Sequence, residues 1–367
     1  MQRREFLMAL AGAATLGAQS ADSRRRFLQS RTVEWDRGIP QWLRETRLPG
    51  ASMVLIDGGQ IVWQREFGVR DAVSRRPVER NTVFAACSDT KPVFAYAVIK
   101  LCEKGLMDLD TPLTRYTSKR FMEGDPRLDL ITARHVFNHT TGFPNWRYKD
   151  PLTIQFTPGT KVQYSGEGFR YLQSVVEEVT RQPFADFMRA NILEPFGMKS
   201  SRIVWDASYE RRIATRHDET GTPIKEAPST PPERAENLAI YGAAASLFTT
   251  PSDYARFILE IIDPKPADSF RLNAKSRQEL LRPQVTRSES TSPVRVKTSS
   301  ALSWVIAEVE DFTFFSHAGS ASGWYCDALA SVGRKSGLIA MTNGDSFPAF
   351  REKLKLDLEF HQNLFTV

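Results

Sequence analysis

The sequence predicts an α/β (α+β) fold: a mixed, mainly antiparallel sheet built from both termini, flanked by helices, with a helical domain inserted between. Three observations predict it. Residues 52–56 and 61–65 are strand-like runs around Asp57-Gly58-Gly59, a β-hairpin signature because glycines accept the positive φ that tight turns need. Residues 301–308, 312–317, 324–331 and 337–342 read as antiparallel strands near the other end. Between them, 88–200 is rich in helical patterns and loops, so strands from the two ends must meet around an inserted helical unit.

Taken in order, 27–46 reads as an amphipathic helix that precedes the hairpin. Residues 93–102 are almost entirely apolar, from Val93 to Cys102, and Gly105 suits the stop of a buried helix. Pro223–Arg234 and Arg282–Ser300 are rich in Pro, Ser, Thr and charge, and read as surface loops that border a cleft. Residues 347–364 close the chain as a helix. The expected organisation is therefore an export signal at 1–21 and one domain at 22–367. Its sheet subdomain takes about 27–85 and 300–367, its helical subdomain about 86–299, with the site between them. No internal repeat is visible.

Composition narrows the class. Roughly 345 residues beyond the leader exceed what one growing core accommodates, which fits two subdomains. The net charge of +6 includes the leader and Arg24-Arg25-Arg26, and the remaining charges are mixed, so nucleic acid is not an expected partner. Cys87, Cys102 and Cys326 are too few and scattered for a disulfide framework or a metal site, and Cys87 and Cys102 read as buried thiols. His135 and His139 are spaced like helical zinc ligands but lack an adjacent Glu or a third ligand; no metal is expected. At the amino terminus, Arg3-Arg4-Glu5-Phe6-Leu7 precedes an apolar run too short to span a bilayer. This is a twin-arginine export pattern, with cleavage near Ala18 to Ala21. Asp22-Ser23-Arg24-Arg25-Arg26 then reads as a solvated basic patch. The mature protein is expected in the periplasm or outside the cell, without stable membrane insertion. The sequence assigns no oligomeric state.

Ser88-Asp89-Thr90-Lys91 is the one place where Ser is followed three positions later by Lys. If the apolar helix begins near Ser88, Ser88 and Lys91 share a face, about 5–6 Å apart at Cβ. Pro92 falls in the first turn, where no intrahelical bond is lost. The helix N-terminus favours developing negative charge, and burial disfavours the ammonium form of a lysine. Such a pair is a candidate activated nucleophile. By itself it is weak, since Ser-x-x-Lys arises by chance about once in a chain of this length.

Two further segments add weight. In Thr157–Arg170, preceded by Phe156, Pro158-Gly159 is followed by Tyr164-Ser165-Gly166, and Thr313–Trp324 contains His317-Ala318-Gly319-Ser320. With Ser88-x-x-Lys91 these resemble the serine β-lactamase and penicillin-binding-protein superfamily. More narrowly they resemble its class C β-lactamase-related group of esterases, D-aminopeptidases and D,D-carboxypeptidases. Ile131–Pro144, with His139-Thr140-Thr141-Gly142, and Ala243–Asp253 resemble further segments of the same group, so the resemblance covers about 35–360. It implies a β-lactamase/D,D-peptidase-like fold and a Ser acyl-enzyme, with no cofactor. Ser88 would be the nucleophile, Lys91 would help take its proton, and Tyr164 would be the proton shuttle. The backbone N–H groups of Ser88 and Ser320 would form the oxyanion hole, each such donor worth about 3–4 kcal/mol in other hydrolases. Gly166, His317 and Gly319 occupy substrate-binding positions, and the His139 segment has a structural role.

The departures bear on substrate. His317 and Ala318 stand where β-lactamases and most D,D-peptidases carry Lys and Thr of a Lys-Thr-Gly motif. A fixed positive charge is lost unless a carboxylate supports a protonated imidazole. Gly166 stands where relatives carry Asn. These changes imply hydrolysis of small esters, amides or peptides, with esters and D-amino-acid amides ranked first. D,D-peptidase or weak β-lactamase activity ranks second, and a non-catalytic binding protein on a hydrolase scaffold is the reading of a different class.

Overall fold

Gly58 and Gly59 have φ of +58° and +76°, the left-handed pair a two-residue hairpin turn of the primed type requires. They join β1 (Gly50–Asp57) to β2 (Gln60–Gly68). A computed structural model provides these coordinates and describes residues 21–147, 150–224, 241–292, 294–310 and 312–365. All but the last residue of the expected export signal at 1–21, and most of the expected loop Pro223–Arg234, lie outside the described residues.

β1 is buried almost throughout because it sits inside an eight-stranded sheet with both faces covered. The remaining strands are β5 (Val285–Ser290), β6 (Val296–Ser300), β7 (Val305–Val309), β8 (Phe312–Ala321), β9 (Trp324–Ser331) and β10 (Ser336–Thr342). The order is β2-β1-β10-β9-β8-β7-β6-β5. Each neighbouring pair is antiparallel, and β1 against β10 joins the two ends of the chain as expected.

Strand alternation assigns the two cores. Val54, Ile56, Ile339 and Met341 face the helical layer that carries the site. Met53, Leu55, Leu338 and Ala340 face the opposite layer. That layer is α1 (Ala21–Thr46) with the two carboxy-terminal helices, and α1 enters it through Leu28, Trp35, Ile39 and Leu43. Each fully buried aliphatic side chain contributes about 1.5–3 kcal/mol. The site-facing layer contains α2 (Thr90–Glu103), α3 (Ala133–Phe137), α4 (Gly166–Thr180), α5 (Phe184–Met188), α6 (Pro251–Ile262) and α7 (Ala274–Leu281). A short ladder of β3 (Phe84–Ala85) with β4 (Phe248–Thr249) docks the start of α2 against the sheet.

Four expectations change. Arg282–Ser300 is not a loop: it contains β5 and β6, paired from Val285↔Ser300 to Ser290↔Val296. The strand expected at 301–308 begins only at Val305, because Ser303 at φ +66° and the Ala301 N–H···O=C Trp304 bond of 2.8 Å make a turn. The final helix is two, α8 (Phe347–Lys353) and α9 (Leu358–Phe365), separated where Lys355 takes φ +51°. The basic patch at 22–26 is the first turns of α1: Arg25 and Arg26 are exposed, whereas Arg24 pairs with Asp57 at the hairpin.

Candidate active site

Ser88 lies in a 3₁₀ turn, Cys87–Asp89, that runs directly into α2. Cys87 takes φ +49°, a left-handed conformation that costs a non-glycine residue about 1–2 kcal/mol. The surroundings hold the turn in place. Thr90 Oγ1 donates to Cys87 O at 2.7 Å and accepts the Leu247 N–H at 2.9 Å, and the Ala86 N–H reaches Leu247 O at 2.8 Å. Ser88 is half-buried, while Asp89, Thr90 and Lys91 are fully buried.

One turn on, the Lys91 side chain reaches back toward Ser88, with Nζ 3.2 Å from Ser88 Oγ and 2.7 Å from Ala244 O. It also lies over the rings of Tyr164 and Phe169, 4.7 and 5.3 Å from their centroids. Tyr164 arrives on extended chain just before α4 and places Oη 2.7 Å from Ser88 Oγ. The Ser88 hydroxyl and Lys91 amine, one turn apart, therefore meet the phenol of Tyr164 from 76 residues along the chain. Burial pushes the neighbouring Cys87 thiol up to about 12, so this cysteine is no rival thiolate.

Tyr164 is held from behind. His139 takes φ +58°, stacks on the Tyr164 ring at 4.2 Å between centroids, and accepts the Ser165 N–H on Nδ1 at 3.1 Å. His135 instead belongs to the capping box that opens α3 with Thr132. Among the described residues no group of three or more His, Cys, Asp or Glu side chains could hold a metal ion.

β8 supplies the opposite wall. Phe315, His317 and Gly319 share the face turned toward the Ser88 turn. A Cβ on Gly319 would fall 2.0 Å from Ala86 O and 2.9 Å from Ser88 N, so only glycine allows this approach. β7 pairs with β8 only as far as Ser316, and from His317 to Ala321 the described partner is β9 alone. Ser320 lies exposed on this stretch, where one edge of the strand faces no other strand.

His317 is buried, and its Nδ1 lies 2.9 Å from Asp89 Oδ1. Burial pushes the Asp89 carboxyl above its usual range, opposed by hydrogen bonds from His317 and the Cys326 thiol. The carboxyl group beside His317 is thus that of Asp89, the residue next to Ser88. At Gly166, the space an asparagine side chain would need is occupied: a Cβ there would meet the Trp146 indole at 2.4 Å.

The beta-lactamase family model matches residues 26–362. The chain belongs to the beta-lactamase family. Among curated relatives it resembles esterase EstB of Burkholderia gladioli, 30% identical over 220 residues, which is 52% of this chain and 56% of EstB. The chain thus spans little more than half the length of that relative. Solved structures share the fold. D-alanine carboxypeptidase AmpC from Burkholderia cenocepacia aligns with a TM-score of 0.69 at 18% identity, over 89% of this chain and 98% of that one. The octameric penicillin-binding protein homologue from Pyrococcus abyssi aligns with a TM-score of 0.73 at 19% identity, over 91% and 79%.

In this beta-lactamase-family chain, the structure brings Ser88, Lys91 and Tyr164 together and sets Gly319 against the Ser88 turn; sequence reasoning gave the His139 segment only a structural role and missed three contributors, Asp89, Ala244 and Trp146. Asp89 was legible as a charge inside an otherwise apolar helix start. Ala244 acts through a backbone carbonyl, which leaves no side-chain signal. His139 and Trp146 act by packing on residues 25 and 20 positions away, which only the folded chain reveals.

Proposed function

We propose that this member of the family is an exported serine hydrolase that cleaves esters or small amides, D-amino-acid amides included, through a Ser88 acyl-enzyme. The observation that carries the reading is the contact of Ser88 Oγ with both Tyr164 Oη and Lys91 Nζ, at 2.7 and 3.2 Å. In acylation, Ser88 Oγ attacks the carbonyl carbon and its proton passes to the Tyr164–Lys91 pair. The negative charge on the former carbonyl oxygen is taken by the N–H groups of Ser88 and Ser320. The tetrahedral adduct then breaks its bond to the leaving group, which departs with that proton. In deacylation, water gives a proton to the same pair and attacks the acyl carbon, and Ser88 recovers its proton as the acid leaves.

Ester and small-amide substrates fit the two recognition groups this chain lacks, a hydroxyl at Ala318 and an amide at Gly166, and EstB is named an esterase. D,D-peptidase or weak β-lactamase activity is the second reading, favoured by the shared fold with a D-alanine carboxypeptidase. Turnover of nitrophenyl esters, D-amino-acid amides and a chromogenic cephalosporin separates them. Ester or D-amide turnover well above cephalosporin turnover is expected; rapid cephalosporin hydrolysis with negligible ester cleavage reverses the order. If nothing is turned over or acylated, the scaffold is a binding protein. Export rests on Arg3-Arg4 and the short apolar run after them. Replacing both arginines by lysine should keep the protein in the cytoplasm, and unchanged secretion would refute that part.

A further inference from the structure

The space vacated at Gly166 is filled by a fixed aromatic wall. Asn145, the residue before Trp146, accepts the Gly166 N–H on both its side-chain and main-chain oxygens, each at 3.0 Å. Arg147, the residue after it, donates its N–H to Glu167 and pairs with that buried carboxylate. Trp146 is thereby clamped at the start of α4, and Tyr241 meets its ring edge-on at 5.4 Å between centroids. Tyr241 is 41% exposed, a large aromatic left open beside a half-buried tryptophan.

Two separate connections tie this pair to the Ser88 site. Ser165 is extended, with φ −139° and ψ 120°, so positions 164 and 166 project to the same side of the chain. Tyr164 projects there to within 2.7 Å of Ser88 Oγ, and the Trp146 indole occupies the position-166 side-chain volume. From the other direction, Tyr241 lies three residues before Ala244, whose carbonyl holds Lys91 Nζ at 2.7 Å. Both aromatics therefore adjoin, from different segments, residues that reach the same reacting centre.

Building on the proposed Ser88 chemistry, we propose that Trp146 and Tyr241 form an apolar subsite that selects substrates carrying a flat or medium-length hydrocarbon group next to the scissile carbonyl. Aromatic side chains with one open face are suited to such groups. The tryptophan takes the place of a polar contact that a shorter, hydrogen-bonding group would use.

The test uses two substrate series: nitrophenyl esters from acetate to octanoate and phenylacetate, and acetate esters of alcohols of rising size. Tyr241→Ala, at the exposed rim, and Trp146→Ala are each compared with wild type. The expected result is that kcat/KM for the larger members, relative to nitrophenyl acetate, falls about tenfold in the variants, mainly through KM. A fall in the first series puts the subsite on the acyl side, and a fall in the second puts it on the leaving-group side. An unchanged ratio in both series for Tyr241→Ala overturns the proposal even if Trp146→Ala fails to fold. Labelling by a small fluorophosphonate is run beside them. Labelled wild type with flat ratios refutes the subsite alone, and unlabelled wild type refutes the hydrolase reading.

Discussion

Lys91 divides its Nζ contacts between Ser88 Oγ and the Ala244 carbonyl, whereas Tyr164 Oη offers Ser88 a single short contact. This sharing makes the lysine both a holder of the site and a participant in proton transfer, and gives the phenol the more direct path. Lys91→Ala and Tyr164→Phe should each slow acylation at least about 100-fold, the range for lost general acid–base help. The burst of nitrophenol in stopped-flow measurements reports that step. A near-normal burst in either variant shows that its residue has another role. Asp89 and His317 act at one remove, by tying the Ser88 turn to β8. Asp89→Ala leaves a buried imidazole without its carboxylate, and a buried polar group robbed of its partner costs about 1–3 kcal/mol. Chemical denaturation should show that loss, and an unchanged midpoint would remove the pair from the account.

The decisive element is β8, because it brings Gly319, the residue before the proposed oxyanion donor Ser320, against the Ser88 turn. Gly319→Ala puts a methyl group where Ala86 O and Ser88 N already lie, so the strand must withdraw. A displacement of about 1 Å at an active site costs on the order of 100-fold in rate, and kcat for a favourable ester should fall by that much. Gly105→Ala is the control: its φ is +70° with open space around it. It should cost about 1 kcal/mol of stability and leave acylation intact. Equal losses of rate in the two variants would mean that β8 has no special place.

The same element scale explains what could be read in advance. The hairpin at Gly58-Gly59, the central strands β9 and β10, and the helix after Ser88 were legible because apolar runs and turn residues coincide there. β5 and β6 were not. β5 is one of the two edge strands and all of it is solvent-facing or half-buried, so Val285–Ser290 shows no apolar alternation to separate it from a loop. Residues 301–304 misled in the opposite sense. Their apolar side chains are buried in a turn, and burial without extension looks like a strand in sequence. For the site, motif residues were legible and their packing partners were not, since Trp146 and Asp89 matter only through what lies beside them in space.

At the scale of the whole molecule, the sheet is held between two cores, and the one away from the site contains an acid-sensitive group. His361 on α9 is buried against Phe314 and Phe365, with ring centroids 5.3 and 5.8 Å away. Burial lowers its pKa from 6.5 to about 4. The folded state therefore favours the neutral imidazole. This contribution is complete above the unfolded value of about 6.5 and drains away as pH falls toward about 4. Between pH 7 and pH 4.5 the wild type should lose about 2 kcal/mol more stability than His361→Phe, read from urea unfolding at the two pH values. Parallel losses in both proteins would place the acid sensitivity elsewhere. The site lies on the other face of the sheet, so activity at pH 7 should be close to unchanged in His361→Phe.

The measurement that bears most directly on the central claim is intact-protein and peptide mass spectrometry after brief exposure to a slowly deacylating ester. The account predicts one acyl adduct, mapped to Ser88, its formation strongly slowed in Tyr164→Phe and abolished in Ser88→Ala. An adduct on another residue, or the same labelling of Ser88→Ala as of wild type, would contradict it.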